Sequence, residues 1–205
     1  MWWMDLGVKT VIMGAKIASL WNKKIKQGLD GRRHLAESLA KDIKPSDRVV
    51  WFHAASFGEF EEGRPLIEEI RSRYPNYRIL VTFFSPSGYN AHKNYPHADC
   101  VTYLPVDTSR DVRSFLDVVH PEIAVFIKYE FWPNLLAELK NRSVRTFVVS
   151  ARFIPNSRFF RWYGGVFRKA LSTFEVLFVQ DSRSIELLKT IFLTNAILAG
   201  DPRFD

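Results

Sequence analysis

One cysteine, Cys100, is all the thiol in this 205-residue sequence. No intrachain disulfide can form and no cysteine metal cluster is indicated, so a reducing, cytoplasmic compartment is the mild inference. Long apolar runs are also missing. In the N-terminal stretch "MWWMDLGVKTVIMGAKIASLWNKKIKQGLDGRR", Asp5, Lys9 and Lys16 break the apolar residues before the ~18 of a membrane span accumulate. No small-residue cleavage site of a signal peptide follows. There is no G-x-G-x-x-G and no G-x-x-x-x-G-K-[ST], which removes the usual ways of cradling a dinucleotide or a nucleoside triphosphate. His92 and His97, in the turn-rich "AHKNYPHAD", lack metal-site context, and neither a metal nor a cofactor is expected. No repeat and no low-complexity tract is present.

What is present suits a soluble domain. Hydrophobic residues make up 47% and charged residues 25%, enough for a substantial core in one large domain. The net charge of +7 is uneven, with ten Lys/Arg against five Asp/Glu in residues 1–50. That imbalance gives the N-terminal segment the character of an element meeting an anionic surface. Lys9, Lys16 and Lys23 recur at heptad spacing as one polar stripe. Val8, Val11, Ile12, Ala15, Ala18 and Leu20 fill other faces, and Trp2, Trp3 and Trp21 stand near the ends. The pattern predicts a basic amphipathic helix over residues 1–30 lying in a membrane interface. A helix packed on its own domain or on a partner is the structural alternative.

After "KDIKPSDR", apolar runs at 48–54, 78–84, 99–105, 122–127, 144–150, 175–180 and 195–200 alternate with helical candidates at 60–73, 87–94, 109–119, 132–141, 157–172 and 182–191. Strands this continuously apolar, separated by helices, predict an α/β domain over residues 31–205: a doubly wound, Rossmann-like parallel sheet covered on both faces. Ligands of such sheets sit outside the carboxyl ends of the strands. Those ends carry His53–Glu59, Ser85–Gly88, Lys128–Asn134, Ser150–Phe153, Gln180–Asp181 and the terminal "GDPRFD". One end of the sheet is chemically loaded.

Each candidate also has a plain reading. Gly58 before a helix near Glu59 would leave backbone N–H groups free for an anion. Glu59, with Glu61 and Glu62, equally suits the first turn of a helix for its dipole. His53 can be a satisfied strand-end histidine, and Lys128 with Glu130 a surface ion pair. The stretch "SARFIPNSRFFRWYGGVFRKAL" mixes Arg152, Arg158, Arg161, Arg168 and Lys169 with aromatics. A nucleic-acid face, a lipid-phosphate site and an amphipathic helix with a basic outer face all fit it. The nearly balanced charge of residues 51–205 argues against nucleic acid as a partner.

Taken together, these stretches resemble the N-terminal half of the Kdo transferases, the 3-deoxy-D-manno-octulosonic acid transferases of lipopolysaccharide synthesis. The resemblance is carried by "HAASFGE" (like H-A-x-S-x-G-E), "SPSGYN" (like T-P-T-G), "YLPVD", "YEFWPN" (like E-x-E-L-W-P-N), "SARF" (like N-A-R-L) and "GDPRFD" (like G-N-x-K-F-D), in the family's order. It implies the first half of a two-domain GT-B glycosyltransferase, separated from its donor domain. This half would take the lipid A precursor, and the C-terminal domain would take the donor, CMP-Kdo. Glu59 matches the family's general base, and Glu130 the second glutamate of its E-x-E-L-W. His53, Ser56, Gly58, Ser85, Ser87, Gly88, Lys128, Glu130 and Arg152 are the expected acceptor-binding residues. Lys128 replaces the first glutamate of that motif, and "FFSPSG" lacks the family's threonine run. The implied setting is the cytoplasmic face of the bacterial inner membrane, with the acceptor lipid, the membrane surface and the chain's own C-terminal domain as partners. A membrane-docked module that holds an anionic lipid without chemistry is the rival expectation.

Overall fold

The apolar runs pair as strands: β1 (Val49–Ala54), β2 (Arg78–Phe83), β3 (Cys100–Tyr103), β4 (Ile123–Ile127), β5 (Arg145–Ala151), β6 (Val176–Val179) and β7 (Ala196–Leu198). The computed structural model describes residues 2–128 and 131–201, and of residues 2–4 the backbone only. The strands form one sheet in the order β3-β2-β1-β4-β5-β6-β7, and every pairing is parallel. The helices between strands are α4 (Phe57–Arg73), α5 (Pro86–His92), α6 (Ser109–Val119), α7 (Pro133–Asn141), α8 (Gly165–Leu171) and α9 (Ser182–Lys189). Ahead of the sheet come α1 (Trp2–Ala18), α2 (Lys23–Asp30) and α3 (Leu35–Asp42).

The central strand shows why the sheet is sandwiched. All six residues of β1 are buried. Side chains alternate across a strand, so Val49 and Trp51 join one apolar layer with Phe115, Leu116 and Leu136. Val50, Phe52 and Ala54 join the other, with Phe60, Phe83 and Ile127. Trp51 packs edge-on against Phe115 at 5.1 Å and Phe126 at 5.4 Å. Its indole N–H donates to Thr82 Oγ1 at 2.8 Å, so the large ring is buried with its polar atom satisfied. Because the chain begins mid-sheet, moves outward to β3 and returns beside β1 as β4, the topological switch lies between β1 and β4. The crevice outside their carboxyl ends is where such sheets bind ligands.

Three expectations about the elements are corrected. The single helix over 1–30 is two: α1 ends at Ala18, a turn follows, and Asn22 caps α2, its Oδ1 accepting from the N–H of Lys24 (3.0 Å) and of Ile25 (3.2 Å). Lys23 therefore falls on the second helix and does not extend a stripe with Lys9 and Lys16. Among the described residues no helix is long and apolar enough to cross a membrane. The helix expected over 157–172 is a single 3₁₀ turn (Arg158–Phe160) followed by α8. There the chain doubles back: a Cβ on Gly164 would stand 2.2 Å from the Arg158 carbonyl oxygen, and the Arg168 guanidinium donates to the carbonyls of Phe159 and Arg161. Finally, α4 begins at Phe57, so Gly58 lies inside its first turn and not ahead of it.

The N-terminal helices pack on the domain. Asp5 Oδ1 accepts from the N–H and the hydroxyl of Ser109, each at 3.0 Å, and from Asn134 Nδ2 at 3.2 Å. Burial pushes the Asp5 carboxyl up, but the bonds from Ser109 and nearby positive charge, Lys9 included, together hold it below its ordinary value. Arg32, just after α2, donates to the carbonyls of Leu104 (2.9 Å), Gly28 (2.6 Å) and Phe84 (2.7 Å). Its guanidinium also faces the rings of Phe84 and Tyr103.

Candidate functional site

The loops that follow β1, β2 and β4 build one neighbourhood at the switch point. β1 lies between β2 and β4 in the sheet, so its loop is flanked by the other two. Phe84, after β2, and Trp132, after β4, meet with ring centres 5.0 Å apart. Pro133 opens α7, and its first turn is capped from another motif. Asp107 accepts from the N–H of Asn134 (3.2 Å) and of Leu135 (2.8 Å), while Asn134 Nδ2 donates to the Asp107 carbonyl at 2.6 Å. "YLPVD" and "YEFWPN" are thus two sides of one joint. Burial raises the Asp107 carboxyl to about 6, against the two backbone N–H bonds that favour its charge.

The residues expected to act divide by accessibility. His53, at the end of β1, is fully buried, with Nδ1 2.9 Å from Thr82 Oγ1 and 3.0 Å from the Thr82 carbonyl. Its ring belongs to the sheet and backs the loop from beneath. Ser56 is the N-cap residue of α4 and makes no side-chain cap bond. A Cβ on the exposed Gly58 would meet nothing within 4 Å, so the space over this turn is open. Glu59 is half-buried, and its Oε2 accepts from the Ala55 N–H at 2.7 Å. The contact reaches back past the N-cap Ser56 to the residue before it, tying the carboxylate to the strand-to-helix turn. The carboxylate is held in place at the mouth of the loop by the backbone it terminates.

Ser85 caps α5, its hydroxyl accepting from the Gly88 N–H at 3.1 Å and lying 3.2 Å from Ser87 Oγ. Gly88 is a packing requirement. A Cβ there would stand 2.6 Å from Phe83 Cδ1 and 3.2 Å from the Phe57 backbone nitrogen, so α5 and the start of α4 sit flush. Arg152 is exposed and pairs with Asp181 at 3.1 Å. Burial raises the Asp181 carboxyl, but bonds from Ser184 and the charge of Arg152 together hold it below its ordinary value. Glu130 and the terminal residues 202–205 of "GDPRFD" lie outside the described residues.

Lys128 and Glu62 were read too simply. Lys128 has a partner inside the domain: its Nζ lies 2.5 Å from Oε1 of Glu62, whose side chain is fully buried, while the expected pairing with Glu130 falls outside the described residues. Glu62 is therefore no mere dipole residue of the first turn. The usable signal was its place on the stripe 59-62-66-70, where Leu66 and Ile70 mark an inward-facing side of the helix.

Beside these loops lies a cavity of about 900 Å³. Val8, Val11 and Ile12 of α1 form one wall, with Ile25 and Leu29 of α2 beside them, and Phe84, Phe131, Trp132 and Phe167 of the domain face them. Lys24, Arg32 and Arg158 are its cations and Asp107 its acid. No spacing rule pointed to this groove, because it exists only where α1 and α2 meet the carboxyl end of the sheet. Among the described residues no cluster of three His, Cys, Asp or Glu could hold a metal.

Residues 27–205 match the family model described as 3-deoxy-D-manno-octulosonic-acid transferase (kdotransferase). The 3-deoxy-D-manno-octulosonic acid transferase of Rickettsia felis is 31% identical over 159 residues, covering 76% of this chain and 34% of the relative. The enzyme of that name from Haemophilus influenzae is 30% identical, covering 55% and 27%, and that from Aquifex aeolicus 27% identical, covering 80% and 43%. The matched stretch thus spans between about a quarter and under half of these relatives. The wall teichoic acid polymerase TagF gives a looser structural likeness, with a TM-score of 0.44 at 14% identity over 93% of this chain and 47% of that one. On the family match and its extent, this chain belongs to the 3-deoxy-D-manno-octulosonic-acid transferase family.

Proposed function

We propose that the chain is the acceptor-binding half of an inverting GT-B glycosyltransferase. In this reading a donor domain binds CMP-Kdo and the present domain holds a lipid A precursor at the cytoplasmic face of the inner membrane. The observation that carries the reading is the apolar groove beside the family's own motif residues, Trp132 and Pro133. Its volume falls in the range of small-molecule sites, roughly 300–1,000 Å³. Apolar walls with three cations against one acid suit an amphiphile with phosphates. Leu6, Met13 and Ile17 of α1, with Leu20, Trp21 and Trp162, are exposed, as a surface meeting lipid requires.

Within this reading, Glu59 removes the proton from the acceptor hydroxyl as that oxygen attacks the anomeric carbon of Kdo, and CMP leaves from the opposite face. The Ala55 N–H fixes the carboxylate before substrate arrives, an orientation that favours reaction geometry. Ser56, Gly58, Ser85 and Ser87 border the open space above the paired helix starts. Lys128 supplies a cation there, and Arg152 flanks it one strand further along. The test is Glu59→Gln in the full-length protein, assayed with CMP-Kdo and lipid A precursor. Turnover should fall by about 100-fold or more while the acceptor still binds. Near-normal turnover removes Glu59 from the role. A wild-type protein that binds the lipid but transfers nothing leaves the non-catalytic lipid-binding module as the answer.

A further inference from the structure

Glu62 is a buried acid with no helix end to cap. It lies in the second turn of α4, yet its carboxylate gathers side chains from the carboxyl ends of three adjacent strands. Lys128, after β4, approaches Oε1 at 2.5 Å. Ser150, near the end of β5, donates its hydroxyl to Oε2 at 2.6 Å. Gln180, after β6, donates from Nε2 to Ser150 Oγ at 2.8 Å and to Glu62 Oε2 at 3.4 Å. The next residue on α4 explains how a helix comes so near: a Cβ on Gly63 would stand 2.1 Å from Ile127 Cδ1.

Two of these partners hold a backbone conformation that L-residues avoid. Lys128 has φ 65° and Ser150 φ 57°, and left-handed non-glycine residues cost on the order of 1 kcal/mol each, persisting where surroundings enforce them. The sheet register also shifts between Val148 and Ala151, around Ser150. Both strained residues touch the same carboxylate. Breaking a buried pair is strongly destabilising, whereas an apolar replacement of the whole pair is often harmless, so stability alone is a poor reason to keep it. Placement is a better one. The Lys128 side chain remains 22% exposed, and an ammonium carries three donors, more than one carboxylate oxygen takes up.

We propose that Glu62 is a positioning residue. With Ser150 and Gln180 it fixes Lys128 as a rigid cation at the carboxyl end of β4, where the ammonium binds an anionic group of the acceptor, and it sets the backbone turn that launches the chain toward Trp132. The ammonium's role rests on the acceptor-binding reading above; the positioning of the turn does not.

The decisive variant is the double substitution Glu62→Gln with Lys128→Gly in the full-length protein. Glycine adopts the left-handed turn freely, and glutamine still accepts from Ser150, so the fold is kept while both charges go. The acceptor KM should rise about tenfold or more, with a smaller change in kcat and a melting temperature close to wild type. Kinetics within about twofold of wild type would overturn the cation's role. Hydrogen exchange needs no turnover and separates the two claims. In Glu62→Ala the Lys128 amide, bonded to the Val149 carbonyl at 2.9 Å, should exchange about tenfold faster or more, relative to the amides of β1. Unchanged relative exchange overturns the positioning claim, even if the protein shows no Kdo transfer at all.

Discussion

Replacing Asp107 by Asn should change how the stability of this domain depends on pH. The Asp107 carboxyl is raised by burial from 3.8 to about 6. The native state therefore keeps a proton over a range in which the unfolded chain, titrating near its ordinary value, has released it. Where the native state binds more protons, stability falls as pH rises. The wild-type protein should accordingly lose stability between pH ~4 and ~6, and a displacement of this size is worth up to about 3 kcal/mol. Asp5, Asp99, Glu122, Glu175 and Asp181 are all shifted the other way. Their contributions are present above their ordinary values, 3.8 for the aspartates and 4.5 for the glutamates, and fade as pH falls through them; they are common to both proteins, so the difference between wild type and variant isolates Asp107. Asparagine cannot titrate and can still accept from the Leu135 N–H. Urea unfolding of both proteins at half-unit steps from pH 4.5 to 7 should show the wild type gaining on the variant by about 2 kcal/mol toward the acid end. Parallel curves would refute the reasoning, and would mean that the two N–H groups at the start of α7 outweigh burial.

Gly63→Ala should destabilise by about 1–3 kcal/mol, measured by denaturant midpoint, because the methyl meets the fully buried Ile127. Asp5→Ala should release α1 from Ser109 and Asn134 and speed proteolytic cleavage between α1 and α2, with the sheet's melting temperature nearly unchanged. Arg32→Lys should cost about 2 kcal/mol or more in thermal unfolding, since one ammonium cannot serve three separate carbonyls as the guanidinium fork does.

The strand runs were legible because a parallel sheet covered on both faces makes each strand almost uniformly apolar, as in "VVWFHA". The helix boundaries near glycine were not. Gly58 signals a turn by composition, but an open first turn tolerates it, and Gly164 signals a break only through a carbonyl 2.2 Å from its missing side chain. Ser56, Glu59 and Ser85 were found as a cluster because the loops of adjacent strands converge at a switch point, a consequence of topology that alternation alone predicts. Glu62 and Asp5 escaped for the same physical cause. An acid in a helix reads as solvent-facing until a partner some hundred residues away, Ser150 at a separation of 88 or Ser109 at 104, comes into contact.

The Asp107–Asn134 joint limits how this domain can vary. A side chain and a helix start from two distant segments complete each other, so a change tolerated at one depends on what the other has become. Anyone exchanging the β4 corner between relatives should move residues 103–107 with it as a single cassette. Transplanting only one half would leave the recipient helix with an uncapped start at the carboxyl end of the sheet.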